Sequence, residues 1–151
     1  MLIMPLSCSK KAQYRDDLSC ASIIERAAEQ LPIDSGYKNP GGDHIKYNFR
    51  NTELDDDHAF LVSVSSSDIN EFGIFHAKDS SACGKLSDLA KDYLEEYFEE
   101  KEIFIASYAP EELEKIKNAE VKTFGNYVAY AVLSEDDREL FFDTVEKLLT
   151  K

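Results

Sequence analysis

The sequence predicts an α+β fold: one antiparallel sheet of about four strands covered by helices, in the order α-β-β-α-β-β-α. Three observations carry that expectation. Two pairs of short segments rich in aromatic and β-branched residues, 59–66 with 71–78 and 120–124 with 127–134, read as hairpins. Segments with apolar residues at three- and four-residue steps precede, separate and follow them. At 151 residues, 43% hydrophobic and with 6 Gly and 4 Pro, the chain has the length and composition of one domain with a real core.

Leu18, Ala21, Ile24, Ala28 and Leu31 recur at helical spacing, with Asp16 or Asp17 as N-cap and Pro32 as the stop. Residues 32–58 are rich in turn formers but too long for a featureless loop, which predicts a short helix or strand near Ile45 to Phe49. The first hairpin, "AFLVSVSS" and "EFGIFHAK", follows. A long helix then carries Leu86, Leu89, Tyr93, Tyr97, Phe104 and Tyr108, capped by Asp79 or Ser80, broken near Ile103 and followed by a further turn from Pro110.

"EVKTF" and "YVAYAVLS" flank Gly125-Asn126, a pair suited to a two-residue hairpin turn. In the second of these strands Tyr127, Ala129, Ala131 and Leu133 alternate with Val128, Tyr130 and Val132. Both faces are therefore apolar, and the strand is expected to be central. A last helix from about Asp136 should bury Leu140, Phe141, Val145 and Leu148. These elements divide the chain into a leader and tether, 1–16, and a single α+β domain, 17–151.

No stretch reaches the ~18 apolar residues of a membrane-spanning helix. Lys and Arg number 17 against 30 Asp and Glu, a net charge of −13 that would repel a phosphate backbone and excludes nucleic acid as a partner. Acids dispersed over helices are ordinarily solvated faces, and a surface for a basic partner is the alternative. The imbalance has a direction: Lys10, Lys11 and Arg15 precede the first acid, Asp16, so a basic leader joins an acidic body.

The opening "MLIMPLSCSKK" runs from a short apolar stretch to a small residue, then a cysteine and polar residues. Leu6-Ser7-Cys8 followed by Ser9-Lys10-Lys11 resembles a truncated bacterial lipoprotein leader, with Cys8 as the lipid attachment site, although Pro5 stands where such motifs usually have Leu. An ordinary N-terminus with a free thiol is the alternative. Two acyl chains, at ~0.8 kcal/mol per buried methylene, hold a protein stably on a bilayer. Residues 9–16 would then be a polar tether of at most ~26 Å. Assigning Cys8 to lipid leaves Cys20 and Cys83, either as a disulfide or as two separate, partly buried thiols.

Gly-rich phosphate loops, nucleophile elbows and histidines at metal spacing are missing from the sequence. His44, His58 and His76 are isolated, and His76 reads as a hydrogen-bonded, half-buried strand residue. "LDDDH" at 54–58 lacks the alternating acids, glycine and distal Glu of a calcium loop and reads as solvated. Glu95, Glu96, Glu99 and Glu100 read as a wet helix face, and Tyr93, Tyr97 and Tyr108 as core or rim packing. The expectation is a non-catalytic module with no cofactor and no metal. One binding alternative uses segment 32–58 as a lid over a small ligand, gathering Tyr37, His44, Tyr47 and Phe49 beside Gly41-Gly42.

The run "NEFGIFHAKD", the long helix and "SYAPEELEKIKNAEVKTFGNYVAYAVLSED" follow one another in this order. Lys78-Asp79, Tyr108 to Glu111, Asn118-Ala119 and Gly125-Asn126-Tyr127 mark their boundaries. In these features residues 17–148 resemble the domain-of-unknown-function 4358 family of small Gram-positive bacterial lipoproteins. The resemblance implies an N-terminal lipid anchor at Cys8; with the leader and the missing catalytic motifs, the expectation is a module lipid-anchored at the extracytoplasmic face of the cell membrane that binds an unknown protein, wall polymer or small ligand. The resemblance carries over no catalytic residue.

Overall fold

The computed structural model describes residues 13–31, 36–49 and 53–151. One antiparallel sheet of five strands organises them: β1 (Tyr37–Lys38), β2 (Asp55–Ser63), β3 (Glu71–Ala77), β4 (Glu120–Phe124) and β5 (Tyr127–Val132), in spatial order β1-β2-β3-β5-β4. Helices α1 (Cys20–Gln30) and α5 (Glu135–Leu149) cover one face. The other face is covered by α3 (Ser80–Tyr108) and, after a 3-10 turn at Pro110–Glu112, α4 (Leu113–Lys117), with Phe49, just after the short α2 (Asp43–Asn48), packed on the same side. No helix among the described residues is long and apolar enough to cross a membrane.

The α+β class and the antiparallel sheet agree with the sequence expectation, and β5 is central, with all six residues buried. Its odd-numbered residues, Tyr127, Ala129 and Ala131, join the α1/α5 side, and Val128, Tyr130 and Val132 the α3 side. β3 alternates likewise, Phe72 and Ile74 against Phe75 and Ala77. Where the two strands meet, Gly73 lies between Phe60 and Tyr130 in register. A methyl there would overlap Phe60 and approach Tyr130 Cε1 to 2.7 Å, so the absent side chain makes room for two rings. Gly125 turns the β4–β5 hairpin with φ +63°.

The structure corrects several details. The sheet has a fifth strand, β1, pairing Tyr37 with Ser63 and Lys38 with Val62. β2 begins at Asp55, so the acidic run expected as a solvated loop is its first part, and Asp55 is buried. α1 is capped by Ser19, whose Oγ accepts from the Ser22 N–H at 3.2 Å. Asp16 and Asp17 do not cap because His76 and Arg15 hold them. The register shifts accordingly: Cys20, Ile23, Ile24, Ala27 and Leu31 are buried, whereas Ala21 is exposed.

α3 runs unbroken through Ile103. In α5 the buried set is Phe141, Phe142, Val145 and Leu149, with Leu140 40% exposed and Leu148 partly buried. The segment expected as tether is held against the body from Gln13 onward. Arg15 N–H donates to Leu149 O at 2.7 Å, Lys151 N–H to Gln13 O, and the Tyr14 ring sits edge-on to Phe124.

Candidate functional site

The least expected feature of the core is a carboxylate. Glu71 opens β3 and, by the alternation of that strand, faces the α3 side with Gly73, Phe75 and Ala77. It is 7% exposed. Tyr93 on α3 donates its hydroxyl to Glu71 Oε2 at 2.7 Å, Tyr130 on β5 adds a second hydroxyl, and His44 on α2 brings Nε2 to 3.2 Å from Oε1. Asn48 Nδ2 lies 3.0 Å from His44 Nδ1, which places the ring hydrogen on Nε2, toward the carboxylate. Burial and the neighbouring Glu71 push the Tyr93 and Tyr130 hydroxyls well above the ordinary tyrosine range. Burial also raises Tyr97, to about 12. Both Glu71 oxygens thus have partners, which is what a carboxylate inside a core requires. The network joins α2, α3, β3 and β5 as a structural clamp.

A second polar cluster closes the opposite end of the sheet, on the other face. His76 Nε2 is 2.6 Å from Asp16 Oδ1, and its Nδ1 meets Asp56 Oδ1, while the ring packs on Tyr127 at 4.7 Å. Burial alone lowers the His76 pKa, but hydrogen bonds to Asp56 and Asp16 overcome it and hold the imidazole above its ordinary value. The other two acids of the run are also used. Asp57 Oδ2 accepts the Cys20 N–H at 2.7 Å, and Asp55 Oδ2 lies 2.7 Å from His58 Nδ1. Among the described residues, no group of three or more His, Cys, Asp or Glu is placed to hold a metal ion.

The other residues singled out by sequence are dispersed. Cys8 lies outside the described residues. Cys20 and Cys83 are free, buried thiols on opposite faces of the sheet, so the disulfide alternative gives way to the two-thiol one. Burial pushes both thiols up, and Asp57 adds to the shift at Cys20. Of the four residues expected on the lid, Tyr37 lies in β1, His44 and Phe49 are packed into the core, and Tyr47 is 70% exposed. His76 is hydrogen-bonded and half-buried as expected, and Glu95, Glu96, Glu99 and Glu100 form an exposed face.

The tyrosines of α3 separate. Tyr93 is buried, Tyr97 half-buried and Tyr108 78% exposed. Leu86, Ala90, Tyr93 and Tyr97 form the stripe that lies on the sheet, and Phe104 and Tyr108 fall on the same helix face after a charged turn at Glu100 and Lys101. Past Tyr97 the stripe outruns the sheet. Phe104 is 62% exposed, Ile103 beside it 81%, and the Phe104 and Tyr108 rings rest on each other at 4.7 Å. On another face of the same helix, Lys91, Leu94 and Phe98 form with Ile116, Lys117 and Val121 an open groove of about 350 Å³.

Sequence reading missed Glu71 and the exposed end of α3. The signal for Glu71 was the alternation of β3 itself, which puts residue 71 on the face of 73, 75 and 77. The signal for the helix end was geometric. A 29-residue helix is about 43 Å long, whereas a strand of 7 residues spans about 23 Å.

No curated protein and no solved structure matches the chain. A family model, a domain of unknown function (DUF4358), matches residues 41–133. The match spans well over half of the chain, from the segment opening α2, through the long helix, to the end of β5, and leaves α1 outside it. It therefore contains both the Glu71 clamp and the exposed end of α3, and the chain belongs to the domain-of-unknown-function family DUF4358.

Proposed function

We propose that the chain is a lipid-anchored, extracytoplasmic binding module that does no bond chemistry of its own. The observation that carries the binding role is the apolar stripe of α3, which leaves the sheet and continues into solvent at Phe104 and Tyr108. Exposed aromatic surface on a domain with an otherwise closed core is the ordinary mark of a contact site. The titratable groups of the core support a non-catalytic reading: Glu71 is occupied by Tyr93, Tyr130 and His44 in packing.

The anchor rests on Leu6-Ser7-Cys8 and its polar follow-on. Because the body takes hold of the chain at Gln13, the five steps from Cys8 span at most about 18 Å. The acidic body would stand close to the membrane at its strapped end.

Intact-mass analysis of protein from its own host tests this reading. The expected species begins at Cys8 with a diacylglycerol thioether, partitions with membranes, and loses both properties in Cys8→Ser. An unprocessed polypeptide recovered wholly from the aqueous fraction would reject the anchor.

A further inference from the structure

We propose that the exposed end of α3, built on Phe104 and Tyr108, docks a basic, apolar segment of a partner protein. This rests on the binding role above and names its partner class.

Three observations select that occupant. The first is pattern. Phe104 and Tyr108 lie on the face of Leu86, Ala90, Tyr93 and Tyr97, within about three turns past Tyr97 and beyond a charged turn at Glu100 and Lys101, so apolar residues return on a face that the sheet covers earlier in the helix. Aromatic anchors at i and i+4 are how helix faces engage apolar partners.

The second is charge. Residues 95–115 hold eight Glu and two Lys. Among the described residues, Glu99, Glu100, Glu102 and Glu111 make no ion pair, whereas the following segment pairs Lys115 with Glu112 and Lys117 with Glu114. Glu100 sits one turn before Phe104 on the same face, close enough to raise the neighbouring Tyr93. By helical spacing Glu100 and Lys101 lie on the face of Phe104 and Tyr108, and Glu99 and Glu102 on the opposite one, so it is the acidic excess of the whole segment, eight Glu against two Lys, that disfavours a second copy of this chain, an anionic bilayer and an anionic polymer and complements a cationic partner.

The third is position. α3 starts beside the β4–β5 turn, where Cys83 Sγ reaches Gly125 O and Tyr14 packs on Gly125. That is the end of the sheet where the N-terminal segment is strapped. Phe104 and Tyr108 lie toward the other end of a helix about 43 Å long. A domain held at its N-terminus presents this surface away from the attachment.

The test is fluorescence anisotropy on the full chain with a labelled Lys/Leu amphipathic peptide of about five helical turns. The acidic analogue, with Glu for each Lys, and anionic phosphatidylglycerol vesicles are the counter-probes. The Lys/Leu peptide is expected to bind, more weakly as salt rises, and the counter-probes not to bind. Phe104→Ser with Tyr108→Ser should weaken binding by about tenfold or more, because the two rings are the anchors. Glu99→Gln, Glu100→Gln and Glu102→Gln together should weaken it by about threefold and flatten the salt dependence.

Wild-type affinity in the double serine variant would overturn the proposal, since bulk negative charge alone would then account for binding. A dimer in sedimentation that the serines abolish, or vesicle binding that they abolish, would overturn it in favour of a second copy or a bilayer. A thermal midpoint lowered by the serines would reassign the pair to the core and overturn it as well. The measurement is made in solution and does not depend on Cys8, so failure of the anchor leaves it standing.

Discussion

From Ala82 to Leu94, α3 buries Ala82, Cys83, Leu86, Ala90, Tyr93 and Leu94, and its apolar stripe lies on β3 and β5. From Glu95 to Tyr108 the helix is just as regular, yet among these residues only Ile105 is buried, held in the cluster that also contains Ile116. Both halves are regular helix, and the second carries more rings, Tyr97, Phe98, Phe104 and Tyr108 against Tyr93 alone, so a lack of apolar side chains does not explain its exposure. What differs is whether this chain supplies the cover. Helical periodicity states which face is apolar, and only the length of the opposing sheet decides how much of that face is satisfied from within.

The sheet-covered half should be sensitive to substitution, most of all through Glu71. In Glu71→Ala, the Tyr93 and Tyr130 hydroxyls and His44 Nε2 lose their shared acceptor inside the core. Urea unfolding should show a loss of about 3–5 kcal/mol. A loss under about 1 kcal/mol would mean that the carboxylate is not the clamp of this half. Leu86→Ala, a truncation at 1% exposure, should cost about 3 kcal/mol by the same measurement. If it cost no more than a truncation in the projecting half, the two halves would not differ in cover.

The same contrast explains how much of the molecule was legible in advance. β5 and α5 declared themselves because burial on two faces, or on one stripe, leaves a long and redundant pattern. β1 did not, because two residues cannot show a period and their pairing with Val62 and Ser63 is non-local. The start of β2 was hidden by its acids, which look solvated until their partners are known: His58 for Asp55, His76 for Asp56 and the Cys20 N–H for Asp57. The cap of α1 was hidden in the same way: Asp16 is held by His76 and Asp17 by Arg15, and Ser19 caps the helix. Of the candidate site, the apolar residues of α3 were visible, but their exposure was not, because it depends on where the sheet ends.

The two ends of the molecule can be separated by pH. At the strapped end, His76 bridges Asp16 and Asp56, with Tyr127 against its ring, and its folded pKa is raised above the ordinary 6.5. A raised histidine holds its proton more tightly in the folded state. Its stabilisation is therefore full below pH 6.5 and is lost as pH rises through the folded value. Thermal midpoints should fall over that window in the wild type and stay flatter in His76→Gln. Amide exchange at residues 13–18 should quicken with rising pH beyond the intrinsic rate, while exchange at the exposed end of α3 follows the intrinsic rate alone. Matching profiles in wild type and His76→Gln would remove His76 as the clasp.

The smallest effect belongs to the projecting half. Phe104→Ala removes a ring that is 62% exposed and touches Tyr108 rather than the sheet. Its stability change should stay within about 0.5 kcal/mol of zero, the range of substitutions that leave a core intact. Of the two neighbouring positions, Ile105 shows what a covered residue in this half looks like, at 4% exposure. Ile105→Ala is therefore the internal control, expected to cost about 2 kcal/mol while Phe104→Ala costs almost nothing. A large cost at Phe104 would mean that the chain covers its own helix end and that no outside partner is needed there. A negligible cost means that the aromatic pair contributes nothing to the fold and is held in solvent by an intact helix, which is the condition the proposed docking requires.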